Sequence, residues 1–341
     1  MKLYEIVIKP VSSFGTPIKG DTLFGHFIWQ LFFDPSLIKR DLKEMLESYM
    51  EKPFVIFSSA YPKFYSKGEE LFFLKRPDLP PYFWESEEKV EKVVLLKTLK
   101  EKKKKKYLQI KKDLCIICKP ENLFSEKEIV ELYKREEVFG DRLKECSFVL
   151  KLRKVQTHNK INRLTHTTGE GFAPYGEERE WYFPFLELSI FVLFDEEVVE
   201  IEQILTAFER MGQMGFGRDA SSGMGRFVMA EEQELSMPDI SNAHALYTLS
   251  PCVLEKEYKK VYFQPFVRFG RHGSFLAISK NPFKNPVLML DEGAVLLSEE
   301  KVNLPYVGRG ISGLSKVEDK TISQGYSIVF PVYFNEHGAV Q

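Results

Sequence analysis

The chain has 341 residues, 44% of them apolar and 29 of them Phe, and its 48 Lys and Arg nearly balance 49 Asp and Glu, for a formal net charge of −1. This composition can bury a core, and it excludes both a disordered chain and a globally basic protein, leaving any RNA binding to local patches. At about one domain per 150 residues the length predicts two domains.

Residues 1–6 read as a strand and not as a signal peptide. No apolar run approaches the roughly 18 residues of a membrane span, so a soluble cytoplasmic protein that meets no membrane is expected. A first strand at 3–11 leads into a loop at 12–20. Asp21 then reads as a helix N-cap, and Phe24, Phe27, Ile28 and Leu31 recur behind it at helical spacing. Trp29 and Phe33 lie on the other side beside His26, so this helix is expected to be covered on both sides, by a second layer or by a partner.

Strands are predicted at 54–64 and 71–74. A helix is predicted at 85–106, with Val90, Val93, Val94 and Leu96 inward, and another at 126–135. The Lys102 to Lys106 run closes the first of these and reads as a solvated helix end or a loop. Four Cys, at 115, 118, 146 and 252, make no disulfide scaffold. Cys115 and Cys118 flank two Ile and lack the further ligands of a zinc site, so they read as buried strand and no metal is expected.

Strands at 147–156 and 181–194 enclose a polar excursion at 157–180, the pattern of an extended hairpin. Ile201, Ile204, Leu205 and Phe208 give a helical face up to Met211, with Gly212 as C-cap. A glycine-rich loop and a strand at 226–230 follow. The composition turns polar at 231–240, which divides the chain into an N-terminal domain, 1–235, and a smaller, β-rich domain, 236–341. Strands are predicted in the latter at 244–254, 262–268, 287–290, 293–297 and 326–334. Both parts suit related α+β units.

The strongest local signal is residues 215–227, Gly-Phe-Gly-Arg-Asp-Ala-Ser-Ser-Gly-Met-Gly-Arg-Phe. Glycines admit backbone N–H groups close to a ligand, and Arg218 and Arg226 offer planar phosphate contacts. The spacing is neither a Walker A loop nor a dinucleotide fingerprint; a tight turn with solvated arginines is the alternative, and Asp219 reads as a loop-ordering partner for an arginine. The second signal is the hairpin. Lys151, Arg153, Lys154, His158, Lys160, Arg163 and His166 precede an aromatic tip with Phe172 and Tyr175, as single-stranded nucleic acid favours; an ordinary solvated hairpin is the alternative. Weaker Gly and Lys/Arg turns surround Arg271, Lys284 and Arg309. As an enzyme, the chain offers His26 and His158 for acid–base cleavage of RNA, although His26 on a Phe-rich helix reads better as a packing residue.

Three segments together resemble the RAMP superfamily of CRISPR proteins. They are the first strand with Ile-Lys-Gly-Asp-Thr-Leu-Phe-Gly at 18–25, the 215–227 loop, and Gln-Gly-Tyr-Ser-Ile-Val-Phe-Pro-Val at 324–332. The arrangement is most similar to the fourth subunit of type III-A (Csm) effector complexes, in the fifth Cas family group, with the equivalent type III-B subunit as a close alternative. Residues 157–168 and 282–293 look like that family too, and the resemblance spans 3–332.

It implies two ferredoxin-like (RRM-type) domains, with the hairpin at about 157–180 as a projecting thumb. It implies a non-catalytic subunit without cofactor that binds the 5′ repeat-derived tag of the crRNA. That subunit docks the large polymerase-like subunit to the backbone RAMP subunit, in antiviral defence. The backbone subunit's RNA-cutting aspartate has no counterpart in loop 12–17, so cleavage is not carried over; a metal-independent endoribonuclease processing repeat RNA is the alternative, and a subunit touching only proteins is another. By the same resemblance, Gly217, Arg218, Ser221, Ser222, Gly223 and Arg226 are expected on tag phosphates. His158, Lys160 and Arg163 are expected near the tag–spacer junction, Lys19 and Thr22 at the start of the first helix, and Lys284 and Arg309 in the second domain.

Overall fold

A computed structural model describes residues 1–66, 68–84, 104–135, 148–168, 173–241, 243–297 and 304–334. The fold is mixed α+β. Among the described residues its helices are α1 (Gly20–Phe33), α2 (Leu42–Ser48), α3 (Glu126–Arg135) and α4 (Ile201–Met214). The first strands are β1 (Lys2–Pro10), β2 (Val55–Phe57), β3 (Tyr61–Ser66), β4 (Glu69–Lys75), β5 (Lys105–Lys111), β6 (Ile116–Ile117) and β7 (Leu123–Ser125). Then come β8 (Lys151–His158), β9 (Tyr175–Tyr182), β10 (Glu187–Phe194) and β11 (Phe227–Leu235). The last are β12 (Ala245–Thr248), β13 (Lys260–Tyr262), β14 (Pro265–Arg268), β15 (Val287–Leu290), β16 (Val295–Leu297), β17 (Tyr306–Ile311) and β18 (Ser323–Tyr333).

The larger sheet runs β11-β1-β10-β3-β4-β5-β7, with β2 also on β10, and all its pairings are antiparallel. β10 reads Glu-Leu-Ser-Ile-Phe-Val-Leu-Phe and is buried along nearly its whole length, as a strand covered on both faces must be. Two helical connections, β1–α1–α2–β2 and β10–α4–β11, place their strands in the order β11-β1-β10-β2. The second sheet runs β13-β16-β12-β18-β17, and β6 adds to β18 in parallel. β8–β9 and β14–β15 stand as separate two-stranded ribbons.

α1 lies between the layers. Leu23, Phe24, Phe27 and Leu31 are fully buried, and the helix packs against α4, β2 and β18. The second sheet thus covers its buried face, but the side with Trp29 and Phe33, which the sequence expected to be covered, is not closed by it: Phe33 is exposed and Trp29 only half-buried. The layers meet closely at Gly20, where a Cβ would stand 2.1 Å from the Phe57 carbonyl oxygen. Gln324 of β18 closes the same seam, accepting from Phe57 N–H and donating to Phe57 O at 2.9 and 2.8 Å. One apolar cluster holds both Phe191 of β10 and Phe330 of β18, rings 5.2 Å apart. The sequence-placed boundary near 236 falls between β11 and β12, and the core runs on across it.

On the larger sheet, Lys63 and Glu5 are wholly buried and paired at 3.0 Å. Glu70 adds a second carboxylate to Lys63 at 3.2 Å, and Gln233 and Ser189 donate to Glu5.

Several elements differ from expectation for local reasons. Strand 54–64 breaks after Ser58, because Ser59 N–H bonds Leu249 O at 2.8 Å and Ala60 N–H bonds Ile18 O at 3.0 Å, both away from β10. Strand 181–194 breaks at Pro184, where Leu186 N–H turns back on Phe183 O. The helix predicted at 85–106, with Val90, Val93, Val94, Leu96 and Lys102, lies outside the described residues up to 103, and Lys105 and Lys106 are in β5. Cys146 also lies outside them. Cys118 is buried, its thiol pushed up to about 12 by desolvation.

α4 continues past Gly212, which is helical and so close to Phe227 that a Cβ would sit 2.3 Å from its carbonyl oxygen. The cap is Gly215, at φ +97°. The N-cap of α1 is Lys19. Asp21 lies in the first turn and pairs in bidentate fashion with Arg268 at 2.5 and 2.7 Å; a carboxylate there finds a guanidinium more rewarding than its own backbone. Among the described residues no helix is long and apolar enough to cross a membrane.

Candidate nucleic-acid interface

The glycine-rich loop follows α4, and its conformation explains its composition. Gly215, Gly217, Gly223 and Gly225 all have φ between +72° and +97°, where a side chain is strained. At Gly225 a Cβ would also lie 2.0 Å from Phe216 O. Asp219 takes a left-handed conformation too, at φ +60°, and its carboxylate meets Arg218 Nε at 3.0 Å, as the sequence suggested.

Loop 12–18, between β1 and α1, holds this loop in place. Ser13 O accepts Gly225 N–H at 2.7 Å, Ser12 Oγ accepts Arg226 N–H at 2.8 Å, and Thr16 Oγ1 accepts Arg218 N–H at 2.9 Å. The Gly217 N–H donates to His26 Nε2 at 3.0 Å. His26 also packs on Phe216, ring centroids 4.8 Å apart, and burial lowers its pKa to about 4. Its Nε2 is therefore occupied as an acceptor that shapes the loop. Gly217 likewise directs its N–H inward, leaving none for a ligand.

The same loop 12–18 fixes the hairpin. Phe14 and Glu180 exchange backbone hydrogen bonds at 2.8 and 2.9 Å. The Phe14 ring is buried, edge-on to Tyr182 at 5.4 Å and 6.4 Å from Phe216. Arg218 adds a further tie, donating from Nη2 to Glu178 O at 2.5 Å. Glycine loop and hairpin base are thus one bonded unit with Phe14 at its centre.

β8 and β9 pair in register from Lys151 with Tyr182 to His158 with Tyr175. This register neutralises part of the basic strand. Glu180 takes Arg153 at 2.7 Å and Lys151 at 3.8 Å, and its carboxyl stays below the ordinary range because these cations outweigh burial. Glu177 takes Arg179 at 2.9 Å and His158 at 3.2 Å. Lys154, Lys160, Arg163 and Arg226 are exposed and form no ion pair among the described residues. Lys160 lies over the Tyr175 ring at 5.5 Å, which in turn stacks on His158. Trp181 is exposed on the same ribbon. Phe172, expected at the tip, lies outside the described residues. Ser221 and Ser222 are exposed in a short turn, and Gly223 has open space beside it.

The remaining expected contacts sit elsewhere. Lys19 is held by Asp291 and Glu292, each at 2.5 Å, and lies 4.6 Å over the Phe266 ring. Lys75 joins Asp291 at 3.0 Å. Burial keeps Glu292 above the usual carboxylate range. Asp291, half-buried beside it, is held at about 2 by its bond to Glu292 and by the two lysines, which outweigh desolvation. Lys19 thus serves the seam between the layers and is not open to a phosphate. Thr22 is half-buried in the first turn of α1. Lys284 lies across Gly270, where a Cβ would be 3.1 Å from its Cδ, and desolvation lowers its pKa. Arg309 is exposed on β17.

Sequence reasoning missed Ser12, Phe14, Thr16 and Glu178. Ser12 and Thr16 are hydroxyls in a short polar loop, a signal for backbone bonding; Phe14 carried none.

No protein-family model matches the sequence, and no curated protein matches it significantly. Solved structures do match its fold. One is a chain of a Csm1–Csm4 cassette in complex with pppApA, 16% identical over 98% of this chain and 100% of that one, TM-score 0.53. Another is from a Csm3–Csm4 subcomplex in the type III-A CRISPR-Cas interference complex, 18% identical over 98% and 100%, TM-score 0.57. A third, from a Csm1–Csm4 cassette with cA4, is 15% identical over 98% and 99%, TM-score 0.54. Csm4 is common to all three, and its fold is the fold of this chain.

Proposed function

We propose that this chain is a Csm4-type subunit of a type III-A CRISPR effector complex, binding the 5′ tag of the crRNA and joining a Csm1-like large subunit to a Csm3-like backbone. Csm4 stands with each of these partners in the matched structures. The β11-β1-β10-β2 order with its two helical crossovers supports the reading of a ferredoxin-like N-terminal domain; the second sheet stands for the other, and the β8–β9 ribbon for the thumb.

The observation that carries the proposal is the bonded unit of glycine loop and hairpin base around Phe14. It sets Arg226, Ser221 and Ser222 on one element, and Lys154, Lys160, Arg163, Tyr175 and Trp181 on the element tied to it. Exposed cations without a carboxylate partner follow phosphates, and exposed rings stack on bases. Arg218, anchored to the hairpin and half exposed, adds a guanidinium at the joint. Thr22 and Lys284 are outlying contacts.

The assigned role is binding without chemistry. A titration of the purified chain with labelled tag RNA, followed by a denaturing gel, tests it. Salt-sensitive binding with intact RNA is expected. Cleaved RNA would overturn the non-catalytic role, and salt-insensitive binding, or none even beside Csm1-like and Csm3-like partners, would overturn the RNA site.

A further inference from the structure

Away from the hairpin, β15 and β17 border a groove of about 410 Å³. Met50, Val253, Pro286, Leu288 and Ile311 line it, with Arg309 as its one charged residue. β17 is the last strand of its sheet, and β15 has β14 as its strand partner on the other side. The groove is closed at both ends. At one, Asn285 donates its N–H to Leu314 O at 2.7 Å and its amide to Gly313 O at 3.2 Å. At the other, Leu290 and Cys252 exchange both backbone bonds, at 2.9 and 3.0 Å.

That exchange fixes the phase of β15. Leu290 directs its N–H and C=O toward Cys252, so Leu288, two residues earlier, directs its own to the same side. No backbone group meets them there among the described residues. Open strand edges are ordinarily covered or guarded by charge. This one carries no charge between its closures: Pro286 removes one N–H from it, and the exposed Leu288 leaves its own N–H and C=O open.

We propose that the groove receives an extended peptide segment of a partner protein, which adds to β15 as a strand and places an acidic side chain on Arg309. Arg309 forms no ion pair among the described residues, so its charge is available. Residues 286–288 between the closures offer about 10 Å, or three extended residues at about 3.3 Å each. Nucleic acid suits the groove less well: it has a single cation and no aromatic ring to stack on a base. Strand addition draws affinity from the main chain and specificity from alternate side chains. This reassigns Arg309 from RNA and is independent of the tag-binding proposal.

The probe is a phage-displayed library of random heptapeptides selected on the full chain. Enrichment of sequences alternating apolar residues with Asp or Glu is expected. A synthetic peptide of the enriched sequence should lose about tenfold in affinity in Arg309→Glu, which reverses the charge, and a similar factor in Leu288→Pro, which removes the N–H. Leu288→Ala keeps that N–H and should change affinity far less than Leu288→Pro. Proline is tolerated on strand edges, and Arg309→Glu stands as a test even where Leu288→Pro does not fold. No enrichment of such peptides, or enriched peptides indifferent to Arg309→Glu, would overturn the proposal. So would Arg309→Glu lowering affinity for a single-stranded RNA while peptide binding stayed intact.

Discussion

His26 and Gly217, 191 residues apart in sequence, are joined by a 3.0 Å hydrogen bond in which the imidazole Nε2 accepts the backbone N–H. An imidazolium cannot accept, so the bond exists only while His26 is neutral. The conformation of the glycine loop is thereby linked to one titration.

That linkage has a sign. The folded-state value, about 4, lies below the ordinary 6.5, so the unfolded chain binds more protons between them. The stabilisation is complete above about pH 6.5 and is lost as the pH falls toward 4, at no more than about 1.4 kcal/mol per pH unit. Urea unfolding across that range should show the loss. His26→Gln, whose amide oxygen also accepts and does not titrate, should flatten the dependence; an unchanged slope would remove His26 as its source.

Two glycines in the same loop should respond differently to alanine. Gly225 combines φ +72° with a Cβ position 2.0 Å from Phe216 O, whereas Gly223 combines φ +87° with open space. Gly223→Ala should cost only the left-handed backbone penalty, about 1–2 kcal/mol. Gly225→Ala must also displace backbone and should cost clearly more. Equal unfolding free energies for the two variants would contradict this geometry.

Arg226 and Arg218 should separate binding from structure. Arg226 has no ion pair among the described residues, so Arg226→Ala should leave stability within about 0.5 kcal/mol and lower the salt slope of tag-RNA binding by about 0.7 for each phosphate left without its cation. Arg218→Ala should lower the slope and also loosen the hairpin, because Arg218 bonds Glu178 O. Faster hydrogen exchange across β9 in that variant alone would register the second effect.

The buried pair of Lys63 and Glu5 predicts a mutant cycle. Lys63→Met leaves a buried carboxylate unpaired and should cost about 3–5 kcal/mol. Adding Glu5→Gln should recover much of that, since the double variant buries no charge at these two positions. Denaturant midpoints of the four proteins give the coupling; strict additivity would mean the pair does not act as one.

Lys19→Ala should leave the RNA salt slope unchanged while lowering stability, since its charge is already met by Asp291 and Glu292. A reduced slope would restore Lys19 to the RNA site.

Much of the local architecture was legible in the sequence. The amphipathic repeat of α4, the apolar run of β10 and the glycines of 215–225 are written in residues close to one another, and short-range sterics decide them. The breaks at residues 58–60 and the passage of α4 through Gly212 were not legible. Each depends on a partner remote in the chain: Leu249 for the first, Phe227 for the second.

By itself, then, the sequence determined where left-handed backbone and exposed charge are possible, because glycine and the cationic side chains carry those properties wherever they stand. Only the tertiary structure decided which of them remain available. Lys19 and Arg226 look alike in sequence, yet Lys19 lies between two carboxylates supplied from more than 270 positions away, while Arg226 stays exposed. A cation's availability depends on the charges folded around it, and these come from chain segments that only the packing of the two sheets brings together.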